Sequence, residues 1–556
     1  MHAASPETIV SLFAQRVEAD GDKPAIHFRQ EGEITTRTWN EVAAKVRRTA
    51  AALAKLGVKP GDRVVQASEN RYAWIVTDLA VHLARGIHVA VHATLTGPQI
   101  AWQIADSGAK LVIVSGPDQA KKLAAATSHL PKGVEYVSFD PCTEVEIGGQ
   151  EIRSLWQLAE ECSEDEGKEL EKAALAETKP EDLVTILYTS GTTGEPKGVM
   201  LSHRNLTSNC QAVMKAFTVE PGEVRLNWLP LSHIFARTTD YYLWIAAGGE
   251  LALCASREEI ISDCQALKPH YLNGVPYFFD KVMRTLQEKG VADAPGALQA
   301  TFGGRMKMCC AGGAALPDHV NQYYLDHGIQ LVQGYGLTES SPVISTGTME
   351  DHRVGTVGKP IDGVEVKISD EGEVLTRGPH VMVGYWNMPE DTAETIKDGW
   401  LHTGDLGAME DGFLKITGRK KELIVTAGGK NIAPTYIEGL LTADGLIAQA
   451  VVIGDDRNYL TALIVPEPEA LKAEIIKRQI PVLTAEQAVA HPDVYALYEQ
   501  RINERLADVS NSEHVRKFTL LSRGLTPETG ELTFKLSLKR DVIMKNFAKE
   551  IEAMYS

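Results

Sequence analysis

The stretch LYTSGTTGEPKGVMLSH, residues 187–203, joins an apolar run to a loop rich in glycine and hydroxyl groups. The run itself, DLVTILY, has the composition of a buried strand. Glycines permit positive φ and a close approach of backbone N–H groups to a ligand, and successive N–H groups in such a turn form an anion-binding concavity. Further donors come from the hydroxyls of Thr189, Ser190, Thr192 and Thr193. The stretch therefore predicts a strand that ends in a polyphosphate-binding loop.

This loop is not a Walker A loop. That motif reads G-x-x-x-x-G-K-[ST]. Counted from Gly191, the sixth position is Pro196, and Lys197 is followed by Gly198. The mismatch argues against a P-loop NTPase. Lys197 remains a candidate phosphate ligand, with a solvated loop charge as the alternative.

Composition limits the class of protein. The chain has 556 residues, 44% of them hydrophobic, with a formal net charge of −18. This length predicts two to four domains. An acidic chain is a poor candidate for sequence-independent nucleic-acid binding, but local donors can still hold small anions.

Cysteine usage and hydropathy indicate the compartment. The seven cysteines are odd in number and form no C-x-x-C pair, which is typical of a reducing compartment. The N-terminus reads as an amphipathic helix without the features of a secretion signal. No apolar run is long enough for a membrane span. We expect a cytoplasmic protein, with peripheral contact at the inner membrane surface left open.

The order of the patterns predicts an α/β fold. Up to about residue 345, apolar runs of strand length alternate with amphipathic helical patterns, as in layered parallel sheets. Residues 350–415 consist of short β-like pieces, which predict a small barrel-like subdomain. A new α/β unit begins after TGRKKELIV. We therefore predict a large N-terminal domain, residues 1–419, and a small mobile α+β C-terminal domain, residues 420–556.

The string YTSGTTGEPKG, residues 188–198, closely resembles the phosphate-loop signature of the adenylate-forming superfamily of acyl-CoA synthetases, luciferases and peptide-synthetase adenylation domains. Further motifs follow in the expected order: LPLSHIFAR (229–237), AGGAALP (311–317), GYGLTESSP (334–342), HTGDLG (402–407) and GRKKELIVTAGGKNIAP (418–434). Within this superfamily, LPLSHIFAR and the tail ELTFKLSLKRDVI are most similar to those of long-chain fatty acyl-CoA synthetases.

The resemblance implies a two-step reaction. A fatty acid of medium to long chain attacks the α-phosphate of ATP, which gives acyl-AMP and pyrophosphate. CoA then takes the acyl group and releases AMP. Mg²⁺ is the implied cofactor, and an oligomer is compatible with the sequence. Two alternatives stay open, namely an acyl- or aryl-AMP ligase that loads a carrier protein, and a binding homologue with impaired catalysis.

The resemblance also implies roles for the motif residues. Glu339 and the Thr189 hydroxyl would hold Mg²⁺, Thr338 would lie near the α-phosphate, and His233 would lie beside the acyl group. Tyr335 would stack on adenine, while Asp405 and Arg419 would bind the ribose. The full set of implied ATP-binding residues is Thr189, Ser190, Gly191, Thr192, Thr193, Gly194, Lys197, Gly313, Ala314, Gly334, Tyr335, Gly336, Thr338, Asp405 and Arg419.

The implied C-terminal residues concern adenylation and CoA. The family places a lysine of the tail beside the α-phosphate. Alignment on the Lys-Arg pair puts Ser537 at that place, so Lys535 is favoured and Lys539 stays open. The hinge for domain rotation would be Lys421. Gly428 and Gly429 would let the pantetheine arm pass, and Lys430 would meet a CoA phosphate. At position 237, where bacterial relatives often carry a tryptophan gate, this chain has arginine.

Overall fold

The computed structural model describes residues 7–189, 195–217, 219–254, 256–526, 528–532 and 538–556. Ser190, Gly191, Thr192, Thr193, Gly194 and Lys535 lie outside these residues, so their predicted roles remain predictions.

The strands are β1 Pro24–Gln30, β2 Glu33–Thr38, β3 Arg63–Ala67, β4 Ile87–Val91, β5 Leu111–Val114, β6 Glu135–Ser138, β7 Glu146–Ile147, β8 Gln150–Glu151, β9 Arg153–Ser154, β10 Leu183–Thr189, β11 Lys197–Ser202, β12 Val224–Asn227, β13 Glu250–Leu253, β14 Tyr271–Gly274, β15 Met308–Ala311, β16 Gln330–Gly336, β17 Val343–Thr346, β18 Lys359–Pro360, β19 Glu365–Ile368, β20 Glu373–Arg377, β21 Gly384–Tyr385, β22 Ile396–Lys397, β23 Trp400–Glu410, β24 Phe413–Arg419, β25 Ile424–Val425, β26 Asn431–Ile432, β27 Ile447–Ile453, β28 Leu460–Pro466 and β29 Val515–Leu520.

The α-helices are α1 Ile9–Asp20, α2 Trp39–Lys55, α3 Tyr72–Leu83, α4 Gly97–Ser107, α5 Pro117–Ala125, α6 Leu155–Glu160, α7 Glu164–Glu177, α8 His203–Ala216, α9 Ile234–Ala236, α10 Leu243–Ala247, α11 Ile260–Leu267, α12 Pro276–Glu288, α13 Ala297–Thr301, α14 Asp318–Asp326, α15 Pro389–Thr395, α16 Pro434–Thr442, α17 Pro468–Arg478, α18 Ala485–Ala490, α19 Pro492–Arg505, α20 Arg540–Asn546 and α21 Ala548–Tyr555. Short 3₁₀ turns cover Thr127–His129, Thr338–Ser340 and Lys420–Glu422, and a π-helical segment covers Arg237–Tyr242.

Two large sheets form the N-terminal part. One has the strand order β18-β17-β16-β15-β14-β12-β13-β1-β2, and the other has the order β21-β11-β10-β4-β3-β5-β6-β9. Strands β12 to β16 and β3 to β6 pair mainly in parallel through helical crossovers. The predicted layered α/β architecture is confirmed. Because the strands are buried on both faces, their sequences are nearly continuous apolar runs.

The largest apolar core lies between these sheets. It joins residues of helices α1, α2, α3, α8 and α10 to residues of strands in both sheets. The apolar spacing in WNEVAAKVRRTAAALAKLG, residues 39–57, predicts an amphipathic helix that ends at Gly57. The structure has this helix as α2, whose first turn is fixed by a capping box between Thr38 and Glu41. Gly57 follows with a φ of 87°, which a glycine adopts without strain.

The region of short β-like pieces folds as an antiparallel sheet. Strands β19, β20, β22, β23 and β24 form it, and β23 and β24 pair along most of their length. Its last strand ends at Arg419, directly before the turn Lys420–Glu422.

The remaining chain forms a small α+β unit. Strands β27, β28 and β29 make one sheet. Alternate residues of β27 enter different apolar clusters: Ala450 and Val452 pack with α16 and α19, whereas Val451 and Ile453 pack with α20 and α21. Because successive side chains of a strand point to opposite faces, helices cover both faces of this sheet.

Arg237 is fully buried between the two large sheets. Its guanidinium pairs with Asp78 and donates hydrogen bonds of 2.8 Å to Thr185 Oγ1 and 3.1 Å to the Tyr242 hydroxyl. Burial alone would raise the pKa of Asp78, yet the Arg237 charge holds it well below its ordinary value. Arg237 is therefore a core residue, which removes it from any role as a channel gate.

The cysteines are free thiols, and Cys310 alone among them is only partly buried. Within the described ranges, no helix combines the length and the hydropathy required to cross a membrane.

We expect Arg237→Leu to lower the free energy of unfolding of the N-terminal part by about 3–5 kcal/mol, because it leaves the Asp78 carboxylate buried without a cation. Urea-induced unfolding measures the change. The matched control is Arg204→Leu, whose pair with Glu181 is exposed to solvent and contributes little to stability. Equal effects of the two substitutions would contradict the role assigned to the buried pair.

Candidate active site

A cleft of about 4020 Å³ runs along the carboxyl ends of the parallel strands. Ligands of open α/β sheets bind at this edge, because the loops that follow the strands converge there. Most of the motif residues named from the sequence line it, including Thr189, His233, Tyr335, Glu339 and Asp405.

The predicted phosphate loop connects β10 to β11. These strands pair antiparallel with Thr189 opposite Lys197, so the two residues flank the loop. Lys197 Nζ forms an ion pair with Asp391 of α15 and lies 5.1 Å from the centre of the Tyr385 ring. The Lys197 charge is thus partly neutralised at the edge of the cleft rather than left in solvent.

Glu339 sits in the 3₁₀ turn that follows β16. The Tyr385 hydroxyl donates a hydrogen bond of 2.9 Å to Glu339 Oε1. Burial, together with the Glu339 charge, raises the pKa of Tyr385, so this hydroxyl stays a proton donor. The contact orients the Glu339 carboxylate in a cleft that Thr189 and Thr338 also line.

Asp405 is held by two donors at once. The Tyr335 hydroxyl donates to Asp405 Oδ2 at 2.8 Å, and Arg419 Nε donates to Asp405 Oδ1 at 2.8 Å. Asp405 is 4% exposed, and it lies directly opposite Arg419 in the pairing of β23 with β24. The strand register therefore sets the distance between the Asp405 carboxylate and the Arg419 guanidinium. The hydrogen bond from Tyr335 of β16 links one of the large sheets to the antiparallel sheet that contains Asp405.

Glycines let the backbone come close in the adjoining loops. Gly313 has a φ of 82°, with open space where a Cβ would lie. At Gly336, a Cβ would approach the Pro342 carbonyl oxygen to 1.7 Å, so a side chain is excluded there. Together with Ala314 and Gly334, they give one wall of the cleft a surface made largely of backbone.

The His233 side chain caps a short helix and also lines the cleft. It caps α9, since its Nδ1 accepts a hydrogen bond of 3.2 Å from the Phe235 N–H. Its ring lies nearly parallel to that of His92 with 6.4 Å between the centroids, and both rings line the cleft.

The C-terminal residues divide into two groups. Lys421 and Lys539 line the cleft. Gly428, Gly429 and Lys430 form an exposed turn instead, and Gly428 and Lys430 line a separate cavity of about 400 Å³. The structure thus does not bring this turn to the other motif residues.

Some residues of the site were not singled out from the sequence. Tyr385 and Asp391 contact Glu339 and Lys197, and Arg540 makes a two-fold contact of 2.7 and 2.8 Å with Glu438 beside the cleft. GYW at 384–386 was an available signal for Tyr385, whereas the other contacts join segments far apart in the chain.

Family models match nearly the whole chain. The model described as AMP-binding enzyme matches residues 13–386, and the AMP-binding enzyme C-terminal domain matches residues 421–556. The chain is 33% identical over 600 residues to the long-chain-fatty-acid–CoA ligase FadD15 of Mycobacterium bovis, covering 99% of this chain and 97% of the relative. It is 28% identical to the long-chain-fatty-acid–CoA ligase ACSBG2 of Xenopus laevis, covering 99% and 84%.

Solved structures have the same fold. ATP-bound MatB from Rhodopseudomonas palustris matches with a TM-score of 0.76 and 24% identity, covering 97% of this chain and 99% of that one. The Mycobacterium tuberculosis fatty acyl CoA synthetase matches with a TM-score of 0.69 and 22% identity, covering 98% and 99%.

We expect Tyr335→Phe to weaken ATP binding by about 0.5–1.5 kcal/mol, because it removes one of the two donors that orient Asp405. Calorimetric titration with ATP measures the change. Tyr323→Phe is the matched control, since the Tyr323 hydroxyl bonds to the Ala292 carbonyl away from the cleft. An unchanged dissociation constant for Tyr335→Phe would show that Arg419 alone orients the carboxylate.

Proposed function

Because the chain belongs to the AMP-binding enzyme family, we propose that it activates a fatty acid with ATP and transfers the acyl group to CoA. The relatives named long-chain-fatty-acid–CoA ligases, which match over almost the full chain, support this activity. The structural observation that carries it is a single cleft with a polar, glycine-rich end suited to a nucleotide and an apolar pocket suited to an acyl chain.

A free carboxylate is a poor acylating agent because its leaving group would be oxide, whereas an acyl adenylate releases AMP. A carboxylate oxygen attacks the α-phosphorus of ATP, the bond to the β-phosphate oxygen breaks, and pyrophosphate leaves. The CoA sulfur then attacks the acyl carbon, loses its proton, and displaces AMP. Neither step requires a protein nucleophile, so orientation and charge stabilisation are the enzyme's contribution.

The donor set at Glu339 fits Mg²⁺. A carboxylate and the Thr189 hydroxyl are hard oxygen ligands, and such ions are commonly held by one or two carboxylates plus substrate phosphates. The described residues contain no group of three or more His, Cys, Asp or Glu side chains that could hold a metal. Glu339 and Thr189 would hold the ion together with the nucleotide, and the ion would neutralise phosphate charge.

The geometry of the cleft supports the remaining nucleotide contacts that we propose. We assign the ribose hydroxyls to Asp405, whose carboxylate is already oriented, and to Arg419. Tyr335 would present its ring to adenine while its hydroxyl stays on Asp405. Thr338 would lie near the α-phosphate and His233 near the substrate carboxylate.

Residues 420–556 would act as a mobile lid with its hinge at Lys421. The end of β24 at Arg419 and the turn after it support this boundary. In this arrangement Arg284 of α12 pairs with Glu467 at 3.1 Å across the proposed boundary. Lid rotation would bring the turn at Gly428, Gly429 and Lys430 to the cleft for the CoA step.

The tail lysine would supply positive charge during adenylation. Lys539 lines the cleft, which supports its candidacy for this role, while Lys535, favoured from the sequence, lies outside the described residues. Since fatty acids partition into bilayers, peripheral membrane contact is part of the proposal.

We expect purified protein with ATP and Mg²⁺ to release pyrophosphate with fatty acids and to form acyl-CoA with free CoA. Glu339→Gln should reduce pyrophosphate release by about 10²-fold or more, because one metal ligand loses its charge. Glu410→Gln, an exposed residue of β23, is the control. The proposal fails if no carboxylate from acetate to oleate supports pyrophosphate release, or if only a carrier-protein thiol accepts the acyl group.

Lys535→Ala should block adenylation by about 10²–10³-fold yet spare thioester formation from supplied acyl-AMP, because the cation is needed only where phosphate charge develops. The two half-reactions are measured separately, with Lys539→Ala as the matched comparison. If Lys539→Ala alone shows this pattern, the adenylation lysine is Lys539.

A further inference from the structure

Arg225 lies deep in the apolar pocket of the cleft. It is on β12, opposite Tyr271 of β14, which in turn pairs with Met308 of β15. Arg225 and Met308 both line the cleft, as do Cys310 and Gly312 farther along β15. Residues at steps of two share one face of a sheet. Arg225 therefore faces the same space as this row.

We place the floor of that space at Arg225, which is level with Met308 near the start of β12 and β15. Gly312 lies at the reacting end, since a Cβ there would touch the Phe235 ring at 2.8 Å, two residues from His233. From Gly312 down to Met308 is four residues of strand, or about 13 Å. An extended chain advances roughly 1.2 Å per bond, so Arg225 would be reached after about ten bonds.

The walls between these two levels are mostly apolar, although Asn273, which pairs with Cys310, and Thr239 also line the cleft. The apolar side chains come from α8 and the residue after it, from α10, and from β17, and they belong to one buried cluster. The cleft-lining members of this cluster are Val213, Phe217, Leu243, Met308 and Val343. A methylene chain suits such walls, whereas a guanidinium at their end does not suit a terminal methyl group.

The Arg225 guanidinium keeps donors for a ligand. Its side chain is 8% exposed, lies 3.6 Å from Asp240 Oδ1, and stacks 5.1 Å above the Tyr271 ring. No hydrogen bond from this side chain to a described residue meets ordinary geometry, although a guanidinium has five N–H donors. Asp240 has its own donors, the amides of Asn227 at 2.9 Å and Asn273 at 2.7 Å.

The charges of Arg225 and Asp240 determine which kind of ligand oxygen would bind there. Arg225 and Asp240 together carry no net charge, and both are buried. A second carboxylate would place a negative charge next to that of Asp240 in a poorly solvated space. An uncharged hydroxyl or keto oxygen can accept from Arg225 without this repulsion.

We propose that Arg225 is a specificity residue that binds an uncharged oxygen on the distal part of a medium-chain acyl substrate, about ten bonds from the carboxylate. This inference rests on the proposed function and specifies the substrate class of the same site. A long unsubstituted chain would meet the guanidinium and leave its donors unpaired, which costs more than the loss of an apolar contact.

The test compares kcat/KM for decanoate, 10-hydroxydecanoate, decanedioate and hexadecanoate, read by pyrophosphate release. We expect wild-type protein to prefer 10-hydroxydecanoate over decanoate by roughly tenfold or more. Arg225→Met should remove this preference and favour decanoate and hexadecanoate. Arg305→Met, an exposed arginine outside the cleft, should keep the wild-type ratios.

A second variant tests the charge argument. Asp240→Asn leaves Arg225 as an uncompensated cation, so decanedioate should gain roughly tenfold relative to 10-hydroxydecanoate. A wild-type preference for hexadecanoate or for decanedioate, or unchanged ratios in Arg225→Met, would overturn the inference. These outcomes leave the proposed function intact, whereas absence of pyrophosphate release with every acid would refute that function instead.

Discussion

The buried ion pair between Arg237 and Asp78 ties together the segments that form the site. Arg237 lies four residues after His233 in the chain. It also donates a hydrogen bond to Thr185 of β10, the strand that ends at Thr189. Asp78 belongs to α3, in the core between the two large sheets. A charge pair without solvent tolerates little displacement, because either partner alone would be buried uncompensated. Thr189, at the end of β10, and His233 are thereby held in a fixed relation to each other.

The cleft has two chemically different ends. At one end, carboxylates are oriented by tyrosine hydroxyls, as Glu339 is by Tyr385 and Asp405 is by Tyr335. A carboxylate fixed before its ligand arrives loses less conformational entropy on binding. At the other end, apolar side chains such as Val213 and Leu243 line a pocket that Arg225 also lines. The reacting groups would meet where these two ends adjoin.

Much of this arrangement can be predicted from the sequence. The strand before residue 190 and the helix that ends before Gly57 follow from uninterrupted or periodic apolar residues and from caps. Motif residues such as Thr189 and Tyr335 converge because the carboxyl ends of parallel strands lie on one edge. The predicted metal, ribose and lysine roles remain proposals, and five loop positions and Lys535 lie outside the described residues.

Other features depend on packing between distant segments. The hydrogen bond from Tyr335 to Asp405 spans 70 positions, and the contact of Lys197 with Asp391 spans 194. Neither local propensity nor residue spacing carries such information. The same holds for Arg237, which side-chain packing buries in the core between the two large sheets. A single arginine in an apolar strand has no local signature, so the sequence does not indicate a role for Arg225.

The state of the cysteine thiols determines whether the proposed acyl adenylate could react with them. An acyl adenylate is a strong electrophile, and Cys310 lines the cleft in which it would form. Burial raises the pKa of Cys310 to about 12, and that of Cys210 in the core likewise to about 12. Since only the thiolate is an effective nucleophile, these sulfurs stay protonated and inert at neutral pH. Acylation of these two thiols is thereby disfavoured, so an incoming thiol meets no competing sulfur nucleophile at these two positions.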